Sequence, residues 1–353
     1  MNWHNELTAL FQTSYPLVQA PMLGITTPEM VAAAASCGML GSLPVGGLSP
    51  EKTAAAIQKT KSLTDKPFAV NLFVYEIPQP PDEPSEWAMR HWLQALAAEQ
   101  GLEYEDKPLA AFTQYSYREQ IPVLIEAGIR LLSFTFGTMD EAALAACRQQ
   151  EMLLMGTATS VAEAVHLRRQ GIDVIVAQGI EAGGHRGSFL DPEQLPAVST
   201  FALVPQVADR VDCPVIAAGG IWDGRTARAA MMLGAKGIQV GSALLAANES
   251  LAVPAYKAAL QQAADTDSKL TRAFSGRWAR GLSNEFMERT GHAGLSIPEY
   301  PYQNSLTAAF RAAAQGQDNA AMFHMWAGQS AGRAEALPTA QILQRIIREA
   351  EAL

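Results

Sequence analysis

The chain has 353 residues, of which 48% are hydrophobic and 17% charged, and its formal net charge is -9. This is the composition of an ordinary globular protein, and the length suits one large barrel with an appended lobe. The negative charge argues against a nucleic-acid surface, because phosphate binding requires clustered Lys and Arg. No apolar stretch of about 18 residues without charge is present, so we expect a cytoplasmic protein that does not bind a membrane.

The chain repeats a short apolar run, a turn rich in Gly or Pro, and an Ala-rich helix. The apolar runs show little polar alternation, as expected for parallel strands covered on both faces. Alternating strands and helices over this length favour an α/β fold of the (β/α)8 TIM-barrel type over an open sheet. The predicted strands are Leu17–Met22, Gly38–Leu43, Phe68–Val74, Leu131–Phe136, Met152–Thr157, Val174–Gln178, Val215–Ala218 and Gly237–Val240.

Two segments do not follow this repeat. Residues 76–120 begin with a Pro-rich turn and continue into a predicted helix near Trp87–Glu99, so we interpret them as an insertion after the third strand. Residues 271–353 lack a further strand–helix repeat and are predicted to be mostly helical. We therefore assign 13–75 and 121–270 to the barrel, and 76–120 and 271–353 to a substrate or lid lobe. A lobe at the C-terminal ends of the strands would form a wall of the active site.

The loop after the sixth strand carries the sequence EAGGHRG at Glu181–Gly187. Its adjacent glycines, Gly183 and Gly184, allow the backbone to approach a flat ligand or to adopt positive φ. An imidazole, His185, follows them. A lone GGH in a loop is more often a tight turn with a surface histidine, but its position at the end of a barrel strand favours a catalytic role.

The loops after the seventh and eighth strands are also glycine-rich. The sequence PVIAAGGIWDG contains Gly219 and Gly220, and GIQVGS ends in the segment Gln239, Val240, Gly241 and Ser242. In barrels these loops commonly bind a phosphate through free N–H groups. Together they predict a phosphate-bearing cofactor or substrate.

Asn71 and Gln178 are polar residues at or near the ends of apolar strands. Each amide is either a core group whose hydrogen bonds are satisfied within the protein, or it faces the site and pairs with the carbonyls and nitrogens of a ligand ring. The three cysteines are far apart and show no zinc spacing, so we expect no disulfide framework and no metal site. No GxGxxG, GxSxG, HExxH or Walker motif is present, so a Rossmann nicotinamide site is not indicated.

These segments together resemble the nitronate monooxygenase family, formerly called nitropropane dioxygenases. The similarity runs from QAPMLG at 19–24 to WAGQ at 326–329. Its most specific pieces are EAGGHRG at 181–187, AAGGI at 217–221, QVGS at 239–242 and AFSGRWARG at 273–281. Two small departures are Ser242, where threonine is common, and Trp278, where a smaller residue is frequent.

The resemblance implies an FMN-dependent oxidoreductase. Pro21 and Met22 would line the flavin, Asn71 and Gln178 would hydrogen-bond its ring, and Gly183 would lie against it. Gly220 and residues 239–242 would hold the ribityl chain and phosphate. His185 would be the active-site histidine, donating a hydrogen bond to the nitro oxygens of a nitronate or removing the α-proton of a neutral nitroalkane. The expected partners are this small molecule and O2, with nitrite and a carbonyl compound as products.

Two other functions stay open at this point. An FMN-dependent enoyl-thioester reductase shares this type of barrel and would use NAD(P)H, and a non-catalytic flavin- or phosphate-binding barrel would retain the glycine loops. The distal pocket is not specified: Tyr300, Tyr302 and Trp326 fit either a pocket wall or an ordinary lobe core. Arg186 and Arg277 fit either attraction of a carboxylate-bearing nitronate or a structural pairing.

Overall fold

The computed structural model describes residues 3–191 and 195–353. Eight strands form one sheet: β1 (Leu17–Gln19), β2 (Gly41–Pro44), β3 (Phe68–Phe73), β4 (Leu131–Thr135), β5 (Leu153–Ala158), β6 (Val174–Gln178), β8 (Val215–Ala218) and β9 (Gly237–Val240). Their order in the sheet is β1-β9-β8-β6-β5-β4-β3-β2, and every neighbouring pair is parallel. A parallel bridge between Val18 and Leu40 joins the two ends of the sheet. The predicted (β/α)8 barrel is therefore confirmed.

Helices cover the outside of this sheet. Thr27 and Ser49 are helix N-caps, because each hydroxyl accepts a backbone N–H of the first turn, and a proline follows each of them. The helices of the described ranges are α1 (Glu6–Phe11), α2 (Pro28–Ser36), α3 (Pro50–Leu63), α4 (Glu83–Gln100), α5 (Tyr117–Glu126), α6 (Glu141–Gln149), α7 (Val161–Arg169), α8 (Thr200–Ala208), α9 (Gly224–Met232), α10 (Pro254–Gln262), α11 (Glu285–His292), α12 (Tyr302–Gly316) and α13 (Thr339–Ala352). No helix in these ranges is long and apolar enough to cross a membrane.

The barrel interior is apolar and closed at its N-terminal end. Leu7 and Phe11 of helix α1 belong to the same buried cluster as Leu131, Val176 and other strand residues. The C-terminal ends of the strands lie at the opposite end of the barrel, which is the end at which barrel proteins form their active sites.

The insertion and the C-terminal region share a second core. Met89 and Leu93 of helix α4 pack in one buried cluster with Phe310 and Ala314 of helix α12. The two stretches therefore form one lobe, although Met89 and Gln303, whose side chains are hydrogen-bonded, are 214 residues apart in the sequence. This lobe lies over the C-terminal ends of the strands, because α12 and the segment after it contribute to the same cavity as those ends.

A small antiparallel sheet connects the barrel to the lobe. Strands β7 (Gly184–His185), β10 (Ser268–Thr271) and β11 (Ala279–Leu282) lie in the order β10-β11-β7, with His185 opposite Ala279. The predicted boundary between barrel and lobe at 270/271 falls inside strand β10. The two motifs EAGGHRG and AFSGRWARG are thus hydrogen-bonded neighbours.

Helix α13 packs on the barrel, although the sequence placed residues 271–353 with the lobe. Its apolar residues Ile342, Leu343, Ile346 and Ile347 are buried in the main barrel core. Glu349 also accepts a hydrogen bond from the N–H of Gly224 at the start of α9. The apolar residues of α13 recur at helical spacing and therefore form one face. This face packs on the barrel between α9 and α2.

Candidate active site

A cavity of about 410 Å³ lies where the strands end and the lobe begins. Its barrel side is formed by the residues that follow β1, β6, β8 and β9, and its lobe side by α12 and residues 324–330. Of the predicted site residues, those in its wall are Pro21, Met22, Asn71, Gln178, Gly183, Gly184, His185, Gly219, Gly220, Gln239, Gly241 and Ser242. The structure thus brings these residues together, while their individual roles stay predictions.

Val240 is the predicted site residue that does not line the cavity. Its side chain is fully buried in the barrel core, and its carbonyl accepts a hydrogen bond from the N–H of Ala20 at 2.9 Å. Adjacent residues of a strand point to opposite faces, so Gln239 faces the cavity while Val240 faces the helices. Val240 can position the loop but presents no side chain to a ligand.

Gln178 holds the loop that carries His185. Its Nε2 donates to the carbonyl of His185 at 3.1 Å, and its Oε1 accepts from the N–H of Gly187 at 2.9 Å. Arg186 is completely buried, and it donates to the carbonyls of Gly179 (2.6 Å) and Gln178 (2.9 Å). Both side chains therefore fold the segment 179–187 back onto the end of β6, which fixes the position of the imidazole.

Four aromatic rings surround His185. The ring centroids of Trp326, Phe136, Tyr300 and Phe73 lie 5.4, 5.6, 5.9 and 6.4 Å from that of the imidazole. This apolar surrounding and the nearby charges of Arg277 and Arg311 lower the pKa of His185 to about 3. The imidazole is therefore neutral at physiological pH, with one nitrogen able to donate and the other to accept.

A hydrogen bond to Ser275 distinguishes the two nitrogens of His185. Nε2 lies 2.8 Å from Ser275 Oγ, and that hydroxyl lies 3.2 Å from the carbonyl oxygen of Arg277. When Ser275 donates its single proton to this carbonyl, it must accept one from Nε2. Nδ1 then carries the free lone pair and is available as a base.

The glycine loops present open backbone to the cavity. Gly219 and Gly220 adopt φ of +114° and +71°, and a side-chain carbon added at Gly220 would meet only Glu181 Cβ, at 3.9 Å. Within residues 3–191 and 195–353, the N–H groups of both glycines donate to no protein acceptor. Unpaired backbone N–H groups at the end of a barrel are suited to an anion such as a phosphate. The loops therefore fit a phosphate-bearing cofactor.

The amides of Asn71 and Gln239 also fit a polar ring. Asn71 Nδ2 donates to Ser133 Oγ at 2.9 Å, which leaves its Oδ1 as an acceptor at the cavity wall. The side chain of Gln239 makes no hydrogen bond to any described residue, although it lies in the same wall. Polar groups of this kind are normally paired when they are enclosed, so both amides are available to a ligand that carries donors and acceptors.

The barrel wall and the lobe wall meet at two glycines. A side-chain carbon at Gly183 would lie 2.6 Å from the backbone carbon of Ala327 and would also clash with the N–H of Gly328. That N–H donates to Ser242 Oγ at 2.9 Å, and the N–H of Gln329 donates to the Glu181 carbonyl at 3.0 Å. Only glycine permits this approach of two backbones, so the wall depends on residues from both ends of the chain.

The aromatic residues of the lobe have different positions. Trp326 lines the cavity, whereas Tyr300 contacts the His185 ring without lining the cavity. Tyr302 is mostly buried and donates to the carbonyl of Pro78 at 2.8 Å, so it ties α12 to the insertion. Trp326 is thus the aromatic side chain of this group that faces a ligand.

The sequence did not single out Arg311 and His324, which also line the cavity. Their position depends on the packing of α12 on the insertion. A signal was present in the sequence: α12 is Ala-rich and largely apolar, and a single arginine in its middle is unusual for a helix that packs in a core. The two arginines that the sequence did consider, Arg186 and Arg277, are instead turned to backbone carbonyls.

Comparisons with known proteins agree with this geometry. The sequence profile of the family described as "Nitronate monooxygenase" matches residues 4–349. A protein named "Probable nitronate monooxygenase" from Staphylococcus saprophyticus is 37% identical over 99% of this chain and 98% of its own length. One with the same name from Staphylococcus aureus is 39% identical, over 98% of this chain and 97% of its own length.

Two solved structures show how widely this fold is shared. The nitroalkane oxidase from Streptomyces ansochromogenes superposes with a TM-score of 0.88 at 34% identity, covering 99% of this chain and 98% of that one. FabK from Thermotoga maritima superposes less closely, with a TM-score of 0.75 at 27% identity over 99% of this chain and 96% of that one.

Proposed function

This chain belongs to the nitronate monooxygenase family, and we propose that it oxidises alkyl nitronates with O2, using FMN held at the C-terminal end of the barrel. The enzyme is an oxidoreductase that acts on a nitronate, and the family is a flavin-dependent one. The proposal adds FMN as the specific flavin, a carbonyl compound and nitrite as products, and propionate 3-nitronate as a candidate substrate.

The position of His185 carries this proposal. Its neutral imidazole lies in the wall of a cavity that also offers unpaired glycine N–H groups and free amide groups. Glu181 also lies in that wall, but its carboxylate accepts the N–H of Thr200 at the start of α8 at 2.9 Å. His185 is therefore the residue best placed to exchange a proton with a bound substrate.

The residues present fit FMN. The N–H groups of Gly219 and Gly220, with Ser242 beside them, would hold the phosphate, and the amides of Asn71 and Gln239 would pair with the ring. No adenine-binding Rossmann motif is present in the sequence, which favours FMN over FAD. When bound, the flavin supplies the electron acceptor for the nitronate.

The protein side chains prepare the substrate. A nitronate is already an anion, and the charge of Arg277 near His185 favours its entry into the cavity. In the tautomer that Ser275 selects, Nδ1 of His185 can accept the α-proton of a neutral nitroalkane, and the protonated Nδ1 can then donate a hydrogen bond to an oxygen of the nitro group. The rings of Phe73, Phe136 and Trp326 limit water around the imidazole, which strengthens both interactions.

The visible spectrum of the purified protein tests this function. The flavin released by heating is expected to have the mass and retention time of FMN, and the release of FAD would contradict the cofactor assignment. Propionate 3-nitronate added without oxygen is expected to change the flavin spectrum, whereas NADPH in a separate sample is not. Reduction by NADPH alone would indicate a reductase, and a flavin-loaded protein inert to every nitronate would indicate a binding protein.

A further inference from the structure

Arg311 is a buried cation without a protein counter-ion among the described residues. Its side chain is 8% exposed and lines the cavity. Its Nε donates to the carbonyl of Thr307 at 3.3 Å, and its Nη2 donates to the carbonyl and Oδ1 of Asn304, both at 2.8 Å. All of these acceptors are neutral, so the positive charge itself is not compensated, and an uncompensated buried charge favours the binding of an anion.

One donor of this guanidinium is still available. A guanidinium has five N–H groups, of which Nε uses one and Nη2 uses two in the bonds above. Nη1 lies 3.0 Å from Nδ1 of His324 and uses one of its two N–H groups there. The second N–H of Nη1 has no acceptor in the part of the chain that the structure describes, and it belongs to a side chain in the cavity wall.

The same bond determines the tautomer of His324. An arginine can only donate, so Nδ1 of His324 must accept, and the proton of the neutral ring is on Nε2. Burial, together with the charge of Arg311, lowers the pKa of His324 well below its ordinary value, which keeps the ring neutral. His324 lines the cavity as Arg311 does, so this part of the wall carries two N–H donors, one on Nη1 of Arg311 and one on Nε2 of His324.

Trp326 contacts His185 as well as His324. Its ring centroid lies 5.4 Å from that of His185 and 5.2 Å from that of His324, so the two imidazoles contact the same indole. A substrate whose nitro group is at His185 would therefore extend along Trp326 toward Arg311. Arg186 and Arg277 do not offer this arrangement, because their guanidinium groups are engaged by carbonyls of Gln178, Gly179, Phe136 and Ser188.

We propose that Arg311 and His324 form an anion subsite that binds a carboxylate at the far end of the substrate, so that Arg311 determines a preference for carboxylated nitronates. This inference rests on the proposed function for the identity of the reacting group. The recognition itself requires only a carboxylate, two N–H donors and an unpaired positive charge. Arg311 contributes to affinity rather than to the chemical step.

Two substrates of equal chain length test the subsite. Propionate 3-nitronate and propyl-1-nitronate each have three carbons, and only the first carries a carboxylate. In Arg311→Gln, kcat/KM for propionate 3-nitronate is expected to fall about 100-fold, mainly through KM, because a charge-assisted hydrogen bond is lost. The value for propyl-1-nitronate should change less than about threefold, since it makes no bond to Arg311.

Arg289→Gln is the matched control, because Arg289 is a lobe arginine that pairs with Glu99 and Glu285 on the surface. It should leave both substrates unaffected. An equal loss for both substrates in Arg311→Gln would overturn the proposal, since Arg311 would then act on the nitronate or on the fold. An unchanged value for propionate 3-nitronate would also overturn it.

A binding measurement separates this inference from the proposed function. Succinate is an unreactive dianion, and calorimetric titration of the flavin-loaded enzyme with it needs no turnover. The wild type and Arg289→Gln are expected to bind succinate, and Arg311→Gln is expected to bind it at least tenfold more weakly. Equal binding by all three would contradict the subsite even if nitronates are oxidised.

Arg311→Lys keeps the charge and serves if the glutamine variant does not fold. It is expected to retain part of the preference for propionate 3-nitronate, because a lysine is a point charge without the planar fork of arginine. A complete loss of the preference in a folded Arg311→Lys variant together with unchanged succinate binding would count against the subsite. If the wild type binds succinate but oxidises neither nitronate, the proposed function fails while the subsite stands.

Discussion

The two walls of the cavity differ in how they would bind a ligand. The barrel wall offers backbone N–H groups at Gly219 and Gly220 and neutral amides at Asn71 and Gln239. The lobe wall offers the charged side chain of Arg311, with His324 and Trp326 beside it. Backbone N–H groups stay in place when side chains are replaced, so the barrel wall suits a cofactor that is the same in every turnover. Side-chain charges can be exchanged by mutation, so the lobe wall suits discrimination between substrates.

His185 lies in the barrel wall and contacts Trp326 of the lobe wall, and its replacement is expected to have the largest effect. His185→Asn is expected to lower kcat/KM for neutral nitroalkanes about 1000-fold, because the base that accepts the α-proton is removed. Oxidation of the corresponding nitronates should fall less than about tenfold, since nitronates need no deprotonation. Steady-state oxygen consumption with both forms of one compound measures the difference.

The flavin content of His185→Asn should stay that of the wild type, because the glycine loops are unchanged. Equal losses for nitroalkane and nitronate would contradict the assignment of His185 as a base.

Gly183→Ala tests the close contact between the barrel wall and the lobe wall. The added methyl group would overlap the backbone of Ala327 and Gly328, so we expect the free energy of unfolding to fall by about 3 kcal/mol. The flavin content of the purified enzyme should fall with it. Urea unfolding followed by tryptophan fluorescence, and the flavin absorbance per protein, measure the two effects.

Gly291→Ala is the control for this substitution. Gly291 lies in helix α11 with no neighbouring atom within 4 Å of an added side-chain carbon, and alanine is the better helix former. Stability should therefore be unchanged or slightly higher. If Gly183→Ala behaved in the same way, the close approach of the two backbones would not be needed for the cavity.

Ser275 tests the hydrogen bond that selects the histidine tautomer. In Ser275→Ala, Nε2 of His185 loses its partner, and the fraction of imidazole with a free lone pair at Nδ1 decreases. We expect about a tenfold lower kcat/KM for nitroalkanes and a smaller change for nitronates. Ser275→Thr, which retains the hydroxyl, should preserve most of the activity. Loss in the threonine variant equal to that in the alanine variant would argue against the hydroxyl.

The smallest expected effect is a pH dependence of stability. Burial, with Arg277 and Arg311 nearby, lowers the pKa of His185 to about 3, so between about pH 6.5 and pH 3 the unfolded state binds a proton that the folded state does not. Stability is therefore lost as the pH falls below about 6.5, on the order of 1 kcal/mol per pH unit for this group.

Urea unfolding at pH 7 and pH 5.5 measures this loss. The loss should be smaller in His185→Asn than in the wild type, whereas His91→Asn, at an exposed position on α4, should behave as the wild type. An equal loss in all three proteins would show that His185 does not contribute to the pH dependence.

Much of the barrel follows from local sequence. The predicted strands at Val174–Gln178, Val215–Ala218 and Gly237–Val240 match the observed ones, and the others differ by a few residues at their ends. Continuous apolar runs between glycine turns suffice for this, because parallel strands are buried on both faces. The positions of the glycine loops and of His185 could be predicted for the same reason, because these residues directly follow the predicted strands.

The tertiary structure alone decided which polar side chains are free to bind a ligand in the cavity. Gln178, predicted to meet a ring, has its amide engaged by the backbone of His185 and Gly187. Among the arginines, Arg311 lines the cavity, while Arg186 and Arg277 are bonded to carbonyls. These outcomes depend on the packing of α12 against the insertion and on the pairing of β7 with β11. Such contacts join segments that are distant along the chain, and a local sequence pattern carries no information about which of them meet.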